Sequence, residues 1–324
     1  MKRRYFNRLM VIAGLVSASV FSYAQPAPWP TRTVKILVGF PPGSTPDIVA
    51  RALADGLSRE LGQSVVIENR TGASGNIAAD LVAKSTDDHT LGIVINGNLT
   101  SAKILNPALS YDPARDFSFL SLLTTAPLAL VTRADLPSGT EFFADAVKHG
   151  DKWNYGSVGI GSVAHLGMEL LKSKVSGLKA EHIPYRGNPA VITELLAGHV
   201  QMALMPPGLV LPYVKSGQLQ IVGLTGGRSI VAPEAPSLSE LGIKDFNLEV
   251  WTALVGPAKL SKAAQQRLAQ TVPQLMRDAA IRQQLFSQGG WTSVGSAPDG
   301  LKTRVIQEAG IMQTIIKTAK IQIK

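Results

Sequence analysis

No cysteine occurs anywhere in the 324 residues. Disulfides are therefore excluded, as is a lipid anchor on cysteine, and stability has to come from burial alone. The five histidines, His89, His149, His165, His182 and His199, lack the i,i+4 or cysteine-paired spacing of metal ligands, so no metal site is expected. Two chemistry-bearing motifs are missing as well. There is no Gly-x-Ser-x-Gly elbow for a nucleophilic serine and no Gly-x4-Gly-Lys-Ser/Thr phosphate loop. Only 17% of residues are charged, and no dense basic run carries interleaved aromatics, which argues against nucleic acid as a partner.

The chain does have apolar substance, at 45% of residues, and a length that suits two domains better than one. Residues 1–24 read as a removable export signal. Lys2, Arg3, Arg4 and Arg8 form a basic start, Leu9 to Val20 an apolar run, and Ser22-Tyr23-Ala24 a small-x-small cleavage site. Arg3-Arg4 leaves both the general secretory and the twin-arginine route open. The expected compartment is a bacterial periplasm. Removing four basic and no acidic residues lowers the formal charge from +9 to +5, an excess that suits acidic ligands.

The organising stretch is Val34 to Leu61. A buried strand ends at Phe40, a tight loop follows at Pro41-Pro42-Gly43-Ser44-Thr45, and Pro46-Asp47 opens an amphipathic helix with Val49, Leu53, Leu57 and Leu61 in one stripe. The hydroxyl of Ser44 or Thr45 is placed to cap that helix. A strand, a small-residue loop and a helix N-terminus together gather backbone N–H groups around one spot, which suits an anion. Further strands are expected at Val65-Val66-Ile67, at Leu91 to Ile95 (leading into Asn96-Gly97-Asn98), at Leu128 to Thr132, and at Val200 to Met205. Strands alternating with helices predict an α/β protein with two doubly wound parallel sheets. The division expected is 25–126 with 252–324 as a discontinuous first domain and 127–251 as the second, joined by two crossovers that serve as a hinge. The segment after Val255 reads as helix throughout.

A second turn, Gly156 to Ser162, mirrors the first. Ser157 and Gly161 belong to it, Ser162 caps the following helix, and His165 falls in its first turn, where the helix dipole favours neutral imidazole. Taken singly, Ser162 could be only a cap and His165 a surface residue. As a pair, the two turns form a clamp for a ligand acidic at both ends, with Phe40 and Tyr185 ending strands on the cleft side and Asn98 on the loop after the third strand. The same turn contains Gly159-x-Gly161-x-x-Ala164, which leaves a second reading open, an exported nicotinamide- or flavin-dependent oxidoreductase. Against it, Tyr185-Arg186 stands where that fingerprint expects an acid, and Glu181 comes too early.

Phe40 to Arg51, Val66 to Ile77, Tyr111-Asp112-Pro113 with Asp116-Phe117, Tyr155-Gly156-Ser157 with Gly161-Ser162 and His165, Ile183 to Gly187, and Ala235 to Gly242 occur in that order. This series resembles the substrate-binding proteins of tripartite tricarboxylate transporters, the Bug family. The resemblance implies a type II periplasmic binding protein, without cofactor or catalysis, that closes on a small carboxylate and hands it to membrane permease subunits. A monomer is expected. Carried over by resemblance, Phe40, Gly43, Ser44, Thr45 and Asp47 hold one carboxylate, and Ser157, Gly161, Ser162 and His165 hold the rest of the ligand. Ser44 stands where the family usually has glycine. Met205 stands where relatives commonly carry aspartate, which favours a dicarboxylate with an apolar or aromatic body over an amino acid.

Overall fold

The computed structural model describes residues 29–321, so the expected signal at 1–24 lies outside the described residues. The first half runs β1 (Val34–Val38), α1 (Thr45–Leu61), β2 (Val65–Asn69), α2 (Asn76–Ala83), β3 (Thr90–Ile95), two short helices α3 (Asn96–Leu99) and α4 (Ala102–Leu105), and a long β4 (Phe117–Pro127). There follow β5 (Ala129–Arg133), α5 (Gly139–His149), β6 (Asn154–Ser157), α6 (Val163–Lys174), β7 (Glu181–Pro184), α7 (Asn188–Ala197), β8 (Met202–Met205), α8 (Pro207–Lys215) and β9 (Leu219–Leu224). The chain ends with β10 (Glu249–Pro257), α9 (Lys262–Arg277), α10 (Ala279–Gly289), β11 (Thr292–Ser293) and α11 (Pro298–Thr318).

The strands form two sheets, a six-stranded one in the order β11-β4-β10-β3-β1-β2 and a five-stranded one in the order β7-β6-β8-β5-β9. β1 is an almost unbroken apolar run because helices cover both its faces. α1 lays Val49, Leu53, Leu57 and Leu61 on that sheet and stops at Gly62, whose left-handed backbone lets its N–H reach Ser58 O. β2 and β3 flank β1 in parallel, and β7 and β8 flank β6 in parallel. This part matches a doubly wound reading, yet both sheets are mixed. β10 runs antiparallel to β3 and β4, and β5 antiparallel to β8 and β9. The reason is topological. β4 carries the chain out of the first sheet into β5, β10 brings it back, and two neighbouring crossings in opposite senses must be antiparallel.

The two crossings are clasped together. Thr225 Oγ1 accepts from Leu128 N at 2.8 Å and donates to Leu248 O at 2.5 Å, tying the end of β9 to both connecting segments. The strand expected at Leu128 to Thr132 is β5, and β4 before it is an additional strand. Its Ser121 and Thr124 are buried because they bond to Ser296 O (2.8 Å) and to Thr252 Oγ1 (2.7 Å), so polar residues interrupt the apolar pattern of a core strand. The terminal segment likewise contains a strand, β11, which two residues are too short to announce by periodicity. Its helices α9 and α11 lie against β4, and α10 packs on α1 and α8.

Leu53 is fully buried on α1. Leu53→Ala is expected to cost about 2–5 kcal/mol in urea unfolding; a loss near zero would contradict α1 as the core helix of the first sheet.

Candidate functional site

The loop after β1 is shaped by Asp47. One carboxylate oxygen accepts Gly43 N–H at 3.0 Å, Asn69 Nδ2 donates to the other at 2.8 Å, and Arg51 Nε reaches both. Burial by itself raises the Asp47 pKa, but these donors outweigh it and hold the carboxyl below its ordinary value. Gly43 adopts φ +79°, which a side chain would strain. Asn69 Nδ2 also bonds Phe40 O at 2.8 Å, so β2 sets the loop's path. Asp47 and Gly43 are thereby spent on the loop itself. Ser44 occupies the N-cap position of α1, but its hydroxyl makes no cap bond and is 1% exposed without a partner.

The second turn is built by the same logic. Ser162 caps α6, accepting His165 N–H at 3.2 Å and donating to Gly159 O at 2.8 Å. Ser157 Oγ accepts Gly159 N–H at 3.0 Å and shares a hydrogen bond with His182 Nε2 at 2.7 Å. His165 Nδ1 accepts Gly161 N–H at 3.2 Å, which leaves the ring proton on Nε2. The His165 and His182 rings stack at 4.1 Å, with Tyr155 beyond His182 at 4.9 Å. Burial is the main reason that His165 is pushed down to about 4 and His182 to about 3, and the nearby Lys172 ammonium acts the same way. His165 is neutral, as the helix dipole predicts, but the larger cause is burial.

The two turns meet. Asn188 Nδ2, at the start of α7, donates to Thr45 Oγ1 at 2.9 Å, and Ser101 Oγ donates to Gly161 O at 2.5 Å. Close packing extends around these bonds. A Cβ on Gly187 would lie 2.5 Å from Ser44 Oγ, and one on Gly97 would lie 2.8 Å from Gly161 O. Between the turns remains a partly open cavity of about 30 Å³ lined by Phe40, Ser44, Thr45, Asn96, Ser162 and Asn188 among others. That is room for about one water. Ile95, Leu128, Val158, Leu204, Pro206 and Val250 supply its apolar wall, and no acidic or basic side chain takes part. Val163 and Ala164, the first residues of α6, line it as well, and a helix leaves its first N–H groups free of intrahelical partners. Among the described residues three buried side-chain polar atoms lack a hydrogen-bond partner, and two of them, Ser44 Oγ and Asn96 Oδ1, belong to this lining.

Four of the expected positions, Phe40, Ser44, Thr45 and Ser162, thus converge on one cavity. Gly43, Asp47, Ser157, Gly161 and His165 stand behind it and shape the two turns. Asn98 is displaced from the lining because its amide bonds Ile95 N, Ser74 O and Asn76 Oδ1 in a clasp of its own. Tyr185 lines a separate crevice of about 380 Å³ with Arg186 and the loop at Gly72–Asn76. Met205 is corrected too. Side chains alternate along β8, so Met205 points into the core of the second sheet, while Leu204 and Pro206 face the cavity. Asn188 and Asn96 are the polar lining residues the sequence reading passed over. Gly187-Asn188-Pro189 repeats the signal of a strand end followed by proline early in a helix, and could have been read as the first turn was. Gly159 and Gly161, the fingerprint glycines, sit at φ +126° and +81° against Ser74, in the loop before α2, and Ser101, between α3 and α4.

Comparison with known proteins agrees with this architecture. The family model described as "Tripartite tricarboxylate transporter family receptor" matches residues 49–319. Three solved structures superpose over most of their length. The periplasmic binding protein BugD has a TM-score of 0.85 at 26% identity, covering 91% of this chain and 99% of its own. Rpa4515 of R. palustris with adipate has 0.86 at 29%, covering 91% and 99%. MatC of Rhodopseudomonas palustris with bound malate has 0.83 at 28%, covering 89% and 100%.

The stacked histidines make the second turn acid-sensitive. Their folded pKa values lie below the ordinary 6.5, so the unfolded chain binds protons more readily, and the stability they contribute is full above pH 6.5 and is lost as pH falls toward 4 and then 3. The melting temperature is expected to drop over that window. In His182→Gln the drop should shrink; an unchanged pH profile would contradict the assignment.

Proposed function

Since the chain belongs to the tripartite tricarboxylate transporter receptor family, we propose that it is a periplasmic receptor that closes on a dicarboxylate and delivers it to membrane transporter subunits. One observation carries the reading. Two helix N-termini, from α1 and α6, and the unpartnered Ser44 hydroxyl line one apolar cavity between the sheets. One carboxylate is received by Ser44, Thr45 and the N-terminus of α1, the other by the free N–H groups of Val163 and Ala164, which the Ser162 cap holds in place. A helix terminus contributes up to about 2 kcal/mol when partly buried, and a charge-assisted hydrogen bond about 1.5–3. A few such contacts reach the roughly 8 kcal/mol of micromolar binding without any chemical step. Leu204, Pro206, Leu128 and Val250 suit a hydrocarbon or aromatic body between the acid groups, and adipate and malate in structural relatives fit the same class.

The present cavity is too small for such a ligand, so it is admitted by an opening of the two sheets about the segments clasped by Thr225. The functional unit is a monomer of two lobes, divided near residues 126 and 252, exported by a cleaved N-terminal signal. The oxidoreductase alternative loses its support in the turn at Gly159 and Gly161, whose glycines serve the close approach of the facing segments.

A thermal-shift screen tests the reading. A dicarboxylate at about 100 times its dissociation constant adds roughly 2.7 kcal/mol of stability; stabilisation by nucleotides and by no carboxylate would favour the alternative. Ser44→Ala should leave the fold as stable as before, because its hydroxyl has no partner to lose, yet weaken dicarboxylate binding about tenfold. Gly97→Ala should wedge the cleft, since the new methyl meets the Gly161 carbonyl, which cannot rotate away. Affinity then falls; unchanged affinity would show that closure at this contact is not needed.

A further inference from the structure

Asn96 is fully buried at the start of α3, and both hydrogens of its amide nitrogen are committed. One goes to Glu249 O at 3.1 Å, the other to Glu308 Oε1 at 2.8 Å. The Glu249 carbonyl can only accept, so the amide cannot be turned over, and chemistry alone fixes which end faces it. Glu308 is itself held in place. Trp251 Nε1 of β10 donates to Oε2 at 2.5 Å, and Arg304 Nε, one turn earlier on α11, approaches the same oxygen at 3.3 Å. Arg304 also pairs with the Glu249 carboxylate at 2.8 Å. The whole arrangement leaves Asn96 Oδ1 as the free polar atom of a residue that lines the ligand cavity.

We propose that Asn96 is a specificity-determining residue that selects a dicarboxylate bearing a hydroxyl on its carbon chain, and that Glu308 is the positioning residue that keeps its amide oxygen turned toward the ligand. The inference rests on the reading of the cleft as a carboxylate site. The acid groups of the ligand bring only acceptors to the helix termini, so they cannot satisfy an acceptor. A hydroxyl can. An ammonium group is a poorer match, because no acidic side chain lines the cavity to balance its charge. A buried site that offers a hydrogen-bond acceptor discriminates against the analogue lacking the donor, since the acceptor is then left unpaired.

Isothermal titration of the mature protein with matched acids decides the matter: succinate, malate and aspartate, then glutarate and 2-hydroxyglutarate. The hydroxy acid of each pair should bind about tenfold or more tightly than its unsubstituted partner, and malate more tightly than aspartate. In Asn96→Ala the hydroxy and unsubstituted acids should come within about twofold of each other, a ratio that a purely structural role would not move. Glu308→Gln, whose amide can turn a donor toward Asn96, should shrink the same ratio while near-ultraviolet circular dichroism remains native. If the wild type binds both members of each pair equally, as it would with a water on Asn96 Oδ1, the assignment is overturned; that measurement needs no variant to fold. If none of these acids and no other carboxylate binds, the receptor reading itself falls, and this inference with it.

Discussion

A polar group taken out of water must find a partner, and the cleft between the two sheets is where this protein leaves that requirement open. Two helices begin there, each with N–H groups that its own backbone cannot satisfy. Ser44 and Asn96 add a hydroxyl and an amide oxygen, both buried and both unpartnered. Elsewhere the described chain meets the rule closely, with Ser121, Thr124, Thr225 and Ser101 each bonded across elements. The exceptions therefore mark a place that is completed by something else, and the absence of charged side chains from the lining fits a ligand that brings its own negative charge.

The groups around the cleft hold these exceptions in position. Asp47 spends its carboxylate on the loop that carries Ser44, and the neutral histidine pair supports the turn that carries Ser162. Glu308 does the same for Asn96, and it also bonds Trp251 on the strand that returns the chain to the first sheet. The cavity wall and the crossing segments thus share residues. Leu128 and Val250 line the cavity, and Thr225 ties Leu128 to Leu248 behind it. A ligand that favours the closed arrangement can shift the two sheets only by its differential affinity for that state, and contacts from both sheets to one small molecule are the means of obtaining it.

Much of this was readable from local sequence rules. A strand and a small-residue loop before a helix placed Ser44 and Ser162 at helix starts, with proline early in the first helix as a further signal, and the blocks from Phe40 to Gly242 carried the family. What was not readable depends on partners distant in sequence. β4 hides its strand character because Ser121 and Thr124 are polar in sequence and satisfied only by Ser296 and Thr252. Met205 ends its strand next to the site, but whether it faces the cavity depends on a period of two that a four-residue strand does not reveal. Asn96 looked like part of a turn; its role emerges only when Glu308, 212 residues later, takes up its donor.

The most direct test of the central claim is a crystal structure of the protein with a bound six-carbon dicarboxylate. The account places one carboxylate within hydrogen-bond distance of Ser44 Oγ and Thr45, the other at the N–H groups of Val163 and Ala164, and the methylene chain against Leu204 and Pro206. A ligand seated instead in the crevice beside Tyr185 and Arg186, with Ser44 still unpartnered, would contradict it.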